Sequence, residues 1–351
     1  MVGGDPTPRR AQEPIPPFPY EEEQVRYENR AAQVTLAGTL TKPRTDGPFP
    51  SALLITGSGP HDRNETLLGH RPFLVLADHL TRHGIAVLRS DDRGVGESTG
   101  DFAAAAADDF AADAGAAVEF LKGRSDVRAD GIGLVGHSDG GVIAPMLAAD
   151  SPDVAWIAML AGPGVPGDQL LLEQNDLISA AMGLPADVRA QTKELNRAIY
   201  AVVRREADDS VAQREIRQMI DEHAALVTAA AHGGGEELLA QLRSQIPRLT
   251  GPWFRDFLGH DPGPTLSNVK VPVLALNGEL DLQVPPGLNL PAIVAALEKG
   301  SNSDYAAVKL PRLNHLFQTA TTGSPAEYAA IEETFAPVAL GAISDWISRR
   351  L

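Results

Sequence analysis

The chain has no cysteine. That excludes disulfides, a thiol nucleophile and cysteine-ligated metal, and it leaves the compartment open. Aromatic residues are scarce at 5%, so Ala and Leu must supply most of the core packing. No apolar run reaches the roughly 18 residues of a membrane span. Met1-Val2-Gly3-Gly4-Asp5 lacks the charged-then-apolar pattern of a secretory signal. Positive charge is in deficit: Lys plus Arg number 30 against 46 for Asp plus Glu, a net charge of −16. Nucleic acid and anionic membrane surfaces are therefore not expected partners. There is no G-x-x-x-x-G-K-[ST], and Gly57-Ser58-Gly59-Pro60-His61-Asp62 carries Asp62 where G-x-G-x-x-G needs its third glycine. Nucleoside triphosphates and dinucleotides are not expected ligands.

What is present is organised around Gly136-His137-Ser138-Asp139-Gly140. A short apolar stretch, Gly131 to Val135, precedes it and reads as a buried strand. Gly141 to Ala149 follows and reads as a helix, with Pro145 expected to bend it. A serine at the apex of G-x-S-x-G between strand and helix is the pattern of a nucleophile elbow. Its turn is so tight that only glycine fits two residues to either side of Ser138.

Prolines 6, 8, 14, 16, 17 and 19 mark residues 1–20 as an extended arm, draped over the body or mobile. Residues 24–28 and 33–40 read as an antiparallel hairpin at a sheet edge. From Ser51 the rhythm is strand, loop, helix: strands at 52–56, 85–89, 131–135 and 154–160, with helices at 72–83 and 104–122 between them. Such alternation predicts a mostly parallel sheet covered on both faces. Between Gly164 and about Asn268 only helical patterns appear: Asp168 to Met182, Pro185 to Ala207, Val211 to Ala230 and Glu236 to Gln245. These read as a cap over the strand ends. The sheet resumes at 271–276 and 305–310, and a last helix is expected from Pro325 to Arg349. The expected organisation is thus an arm at 1–20, a core at 21–163 and 269–351, and a helical cap at 164–268.

An elbow serine needs a base, an acid to orient the base, and an oxyanion hole. In this architecture the acid and then the histidine follow the serine, on strand-end loops. Asp281 lies in the loop after Leu276, with Glu279 and Asp168 as rivals for the same role. Of the nine histidines, only His315 lies beyond Asp281. Oxyanion donors are expected from the backbone of Asp139 and of Ser58. The lipase-like His232-Gly233-Gly234-Gly235 lies after the elbow, where such a loop does not serve, and reads as a helix-to-helix loop.

Together, Thr56 to Pro60, Asp92 to Ser98, Gly136 to Gly140, Leu276 to Val284 and Leu313 to Phe317 resemble the α/β-hydrolase superfamily. Within it the chain is similar to bacterial carboxylesterases related to the prolyl-oligopeptidase and dienelactone-hydrolase branches, from about residue 20 to the end. Pro252-Trp253-Phe254-Arg255 is similar to their cap-to-core return, though less specifically. The resemblance implies an α/β-hydrolase fold with an inserted helical cap. It also implies hydrolysis of a small-molecule carboxylic ester through an acyl-enzyme on Ser138, His315 and Asp281, with no metal or organic cofactor. A peptidase or amidase on the same triad, and a ligand binder without turnover, are the alternatives. Apolar residues of the cap, Leu170, Leu171, Leu172 and Leu177 among them, are expected to close an acyl pocket over Ser138. Trp253 and Phe254 either form a wall of that pocket or only join cap to core.

Overall fold

The computed structural model describes residues 10–226 and 235–351. Eight strands form one sheet in the order β1-β2-β4-β3-β5-β6-β7-β8. They are β1 (Tyr20–Asn29), β2 (Val34–Pro43), β3 (Phe49–Ile55), β4 (Ala86–Ser90), β5 (Val127–His137), β6 (Trp156–Leu160), β7 (Val273–Gly278) and β8 (Tyr305–Leu310). The β1–β2 hairpin forms the edge and joins β4 antiparallel; every other pairing is parallel.

Successive residues of the central strands enter opposite cores, as the period of a strand requires when both faces are covered. On β6, Ile157 and Met159 face one core while Trp156, Ala158 and Leu160 face the other. The first core is closed by α2 (Ala107–Lys122), α3 (Gly140–Asp150) and α10 (Pro286–Lys299), the second by α1 (Pro72–Arg82) and α11 (Pro337–Ser348). The few aromatics pair in the second core: Trp156 and Trp346 meet edge to face at 6.1 Å, and Phe317 stacks on Phe335 at 5.4 Å. Gly133 makes room for the tryptophan pair, since a Cβ there would lie 2.0 Å from the Trp156 ring.

Between β6 and β7 lie α4 (Gly167–Ala181), α5 (Ala186–Arg205), α6 (Asp209–Glu222), α7 (Gly235–Leu249), α8 (Pro252–Gly259) and α9 (Pro262–Asn268). Helices α5 to α8 bury a core of their own, including Leu195, Ile199, Val203, Ile216, Leu239, Ile246 and Leu258. Leu170 of α4 instead packs with Val165 and with Val284 beyond β7, which joins the insertion to the strand ends. Helix α9 behaves differently again: Leu266 is buried in the sheet's first core. Arg255 on α8 donates to the carbonyls of Val203 and Glu206, occupying acceptors that the end of α5 leaves open. The end of the expected Val211–Ala230 helix and His232, Gly233 and Gly234 lie outside the described residues.

One expectation is corrected. The single terminal helix is instead a short 3-10 turn, Pro325–Ala330, an extended link, and then α11 starting at Pro337. Pro337 cannot donate a backbone hydrogen bond, so it opens a helix rather than lying inside one. Pro145 lies inside α3 without ending it. The arm's described part drapes over the body: Gln12 accepts from Thr334 N and Phe335 N and donates to Phe335 O, and Arg10 pairs with Glu332.

The glycines of the elbow are expected to be irreplaceable. A Cβ on Gly136 would lie 1.9 Å from the Gly140 carbonyl oxygen, a backbone atom that cannot swing aside. Gly136→Ala should cost at least the roughly 1–3 kcal/mol of ordinary overpacking. Chemical denaturation of the two proteins checks this, and coincident midpoints would contradict it.

Candidate active site

Ser138 has φ +52°, a left-handed backbone unusual for a residue with a side chain. Two hydrogen bonds hold it there: Ser138 N donates to Leu160 O at 2.8 Å, and Gly141 N donates to Ser138 O at 2.8 Å. The strained turn leads straight into α3, so the hydroxyl sits at a helix N-terminus.

His315 and Asp281 meet as neighbouring strand-end loops. Nδ1 of His315 lies 2.9 Å from Asp281 Oδ2, and both side chains are buried. The other carboxylate oxygen of Asp281 accepts from Gln283 N and Val284 N, each at 2.8 Å, so the acid is fixed before it meets the imidazole. The histidine's own loop is pinned by fully buried Asn314, whose side-chain oxygen accepts from Leu316 N and Gln318 N. The rival acids are engaged elsewhere: Asp168 pairs with Arg204, and Glu279 accepts from Arg312 N. Among the described residues no hydrogen bond joins Ser138 Oγ to His315, a contact that in unliganded sites often tightens only with substrate.

Ser138, Ser58 and Asp139 share the wall of a cavity of about 390 Å³, together with Leu170, Leu171 and Trp253. Among the described residues the N–H groups of Ser58 and Asp139 have no protein acceptor, whereas Gly57 N–H is taken by Glu65 at 2.7 Å. Trp253 Nε1 donates to Asp139 Oδ2 at 2.8 Å, tying the insertion to the elbow. Burial pushes the Asp139 carboxyl up to about 6; the Trp253 bond opposes that shift and nearby Asp256 adds to it. Phe254 does not line this cavity. Its ring meets Tyr200 edge to face at 6.0 Å and packs against the insertion's own core.

A second histidine–carboxylate pair lies beneath the first, and sequence reasoning did not find it. His137 Nδ1 is 2.9 Å from Glu65 Oε1, and its Nε2 donates to the His315 carbonyl at 3.1 Å. The two imidazole rings lie 4.9 Å apart. Both members of the pair are buried. Burial opposes charge on each, but the partners override it: His137 holds the Glu65 carboxyl below the usual range, and Glu65 holds the imidazole above it. The two shifts agree on an ion pair. Because Glu65 also accepts from Gly57 N, the pair links three segments: the loop after β3, the elbow and the histidine loop. Glu65 itself has φ +52°.

The Asp92 to Ser98 motif is a brace. Asp91, just before it, accepts from Arg63 through two nitrogens and from Glu97 N. Arg93 forms a bidentate pair with Asp113 on α2. Such forked pairs fix geometry as well as charge. No group of His, Asp and Glu able to hold a metal occurs among the described residues. Among them, too, no helix is long and apolar enough to cross a membrane.

Comparison with known proteins gives concordant results. A family model described as "Serine aminopeptidase, S33" matches residues 71–241. Esterase EstD of Thermotoga maritima is 33% identical over 153 residues, which is 44% of this chain. The chain spans only 36% of that relative's length. The structure of DcsB in complex with its substrate analogue superposes with a TM-score of 0.55 at 16% identity, covering 94% of this chain and 99% of that one. Esterase Pf2001 of Pyrococcus furiosus gives 0.52 at 14% identity, covering 95% and 93%. Est1E of Butyrivibrio proteoclasticus, with ferulic acid bound, gives 0.52 at 16% identity, covering 93% and 98%. At these identities the solved structures report the fold.

The buried Glu65–His137 pair yields a pH-dependent prediction. Glu65→Gln should destabilise by on the order of 3 kcal/mol, because it strands a buried imidazolium. Glu65 titrates below its ordinary value, so its contribution is present above about pH 4.3 and is lost as pH falls through the folded value. His137 titrates above its ordinary value, so its contribution is complete below about pH 6.5 and is lost as pH rises through the folded value. The stability gap between parent and variant should be widest between about 4.3 and 6.5 and narrow on either side. Melting curves of both proteins across that range and beyond test this; a gap independent of pH would contradict it.

Proposed function

We propose that this chain, which has the α/β-hydrolase fold, is a serine carboxylesterase. The observation that carries the reading is the buried bond of His315 Nδ1 to Asp281 Oδ2 on the loops that flank the strained serine. Such a bond leaves Nε2 as the basic nitrogen and stabilises the imidazolium that forms.

In this reading Ser138 Oγ attacks the ester carbonyl carbon as His315 Nε2 takes its proton. The carbonyl π electrons move to oxygen, and the oxyanion accepts from Ser58 N–H and Asp139 N–H. Collapse expels the alcohol, which takes the proton from His315, and leaves an ester of Ser138. Water, deprotonated by His315, then attacks that ester; the bond to Ser138 Oγ breaks, Oγ takes the proton back from His315, and the carboxylic acid is released. Two donors without protein acceptors, at the wall that Ser138 shares, are what such an oxyanion hole requires. Trp253 braces Asp139 from the insertion, which supports a cap that shapes the pocket as well as covering it.

An amidase or peptidase using the same residues is the second reading, favoured by the description of the matching family model. Rates on matched ester and amide substrates separate the two.

Ser138→Ala and His315→Ala should each remove nearly all hydrolysis of p-nitrophenyl esters, and the double variant should be little worse than either. Asp281→Asn should lower kcat by on the order of 10⁴. Near-parental turnover in Asp281→Asn would overturn the assignment of the acid.

The two aromatic neighbours should separate in the same assay. Trp253→Ala opens the cavity wall and should change the ratio of kcat/KM between a long and a short acyl ester. Phe254→Ala should lower the melting temperature with that ratio unchanged. A constant ratio in both variants would remove Trp253 from the pocket.

A further inference from the structure

A second cavity is larger than the one above Ser138. It lies behind the oxyanion loop, between the sheet and α2, and measures about 620 Å³. Leu36, Leu53, Phe110, Ala117 and Ile143 give it an apolar body. Asp139 is the one residue it shares with the cavity of Ser138, and Gly57 of its wall adjoins Ser58 of the other. The partition between the two is therefore narrow, and part of it is the side-chain pair of Asp139 and Trp253.

Three further acidic residues line this wall: Asp91, Asp92 and Asp113. Two are matched by cations, Asp91 by Arg63 at 2.6 Å and Asp113 by Arg93 at 2.7 Å. Asp92 has only neutral partners, the Thr56 hydroxyl at 2.7 Å and His61 N at 2.8 Å. Among the described residues no Lys, Arg or His side chain pairs with it. Its surface is only part-buried, but its surroundings are enclosed enough that desolvation pushes its carboxyl up to about 7, with Glu65 and Asp113 adding repulsion. A carboxylate so placed lacks one positive charge, and apolar volume lies beside it.

We propose that this cavity is a binding subsite for an apolar chain carrying one protonated amine, with the ammonium paired to Asp92 and the chain lying against Leu53, Phe110 and Ala117. The pairing supplies the cation that the protein itself does not, and the chain replaces unfavourable empty or hydrated apolar space. The same chemistry has two sources. It is the acyl part of an ester held at Ser138, in which case the subsite rests on the esterase reading, or it is a free amphiphilic amine bound beside the active site, in which case it does not.

Titration calorimetry with n-octylamine and with n-octanol, which lacks the charge, tests the subsite directly. The amine should bind about tenfold tighter or more. Asp92→Asn should erase that preference, and Ala117→Phe, which fills the cavity, should abolish binding of both. Equal binding of amine and alcohol by the parent protein overturns the proposal, and so does tight amine binding that survives Ala117→Phe. If Asp92→Asn does not fold, those two comparisons decide alone. Hydrolysis of the p-nitrophenyl esters of ω-aminooctanoic and octanoic acid identifies the source. A higher kcat/KM for the amino ester assigns the subsite to the acyl chain. Tight amine binding without that preference assigns it to a free amine. Hydrolysis of p-nitrophenyl acetate by the parent reads the triad separately: its absence sinks the esterase reading and leaves the binding result standing.

Discussion

Backbone crowding at the elbow is the constraint on which the rest of the molecule depends. The carbonyl of Gly140 lies where a Cβ of Gly136 would be, and the carbonyl of Ile55 where a Cβ of Gly140 would be. The end of β3 is thus pressed against the start of α3, and the loop that carries Ser58 must pass directly beside Asp139. A second close approach sets the other half of the site. A Cβ on Gly278 would meet the Leu313 carbonyl at 2.3 Å, so the loops after β7 and β8 run in contact and Asp281 reaches His315. Close-packed backbone, rather than long side chains, positions the chemistry. That suits a chain poor in aromatics, and it yields the small tolerances that preorganised sites need.

The sheet was legible because its signals are local. Short apolar runs bounded by turn residues mark strands whatever they pack against, and G-x-S-x-G between strand and helix marks a turn that few other sequences can make. Ser138, Asp281 and His315 are candidates by their order on strand-end loops, and the structure brings the last two into hydrogen bond. Glu65 was illegible for the converse reason. It lies in a loop with no periodicity, and its partner is 72 residues away. His137 looked like one more histidine because its role is visible only when Glu65 and the His315 carbonyl are both in place. Phe254 and Trp253 are adjacent in sequence and differ in helical phase, so one faces the cavity and its neighbour faces the insertion's core. A boundary reading cannot resolve that difference. The broken terminal helix was missed because the weight of a proline depends on where the helix begins.

The insertion is joined to the sheet in an uneven way. Its helices α5 to α8 are held together by their own apolar core. Its tie to the elbow is polar, through Trp253 and Asp139, and its tie to the strand ends is a small apolar patch around Leu170 and Val284. Asp139 gives its carboxylate to the insertion and, in the proposed mechanism, its backbone N–H to the oxyanion. In that mechanism a shift of the insertion is felt at the oxyanion donor.

The arm that crosses the body has a consequence for how the molecule comes into being. Gln12 leaves the ribosome 322 residues ahead of Thr334 and 323 ahead of Phe335, the groups it binds. The same holds for Arg10 and Glu332. Part of the arm has earlier partners, since Arg10 Nε donates to Gly69 O and Arg71 pairs with Glu13. Tyr328 and Thr334, which hold His70, also arrive late. The contacts to Glu332, Thr334 and Phe335 thus close only after that later segment has emerged, so one half of the latch stays open while the residues between are made.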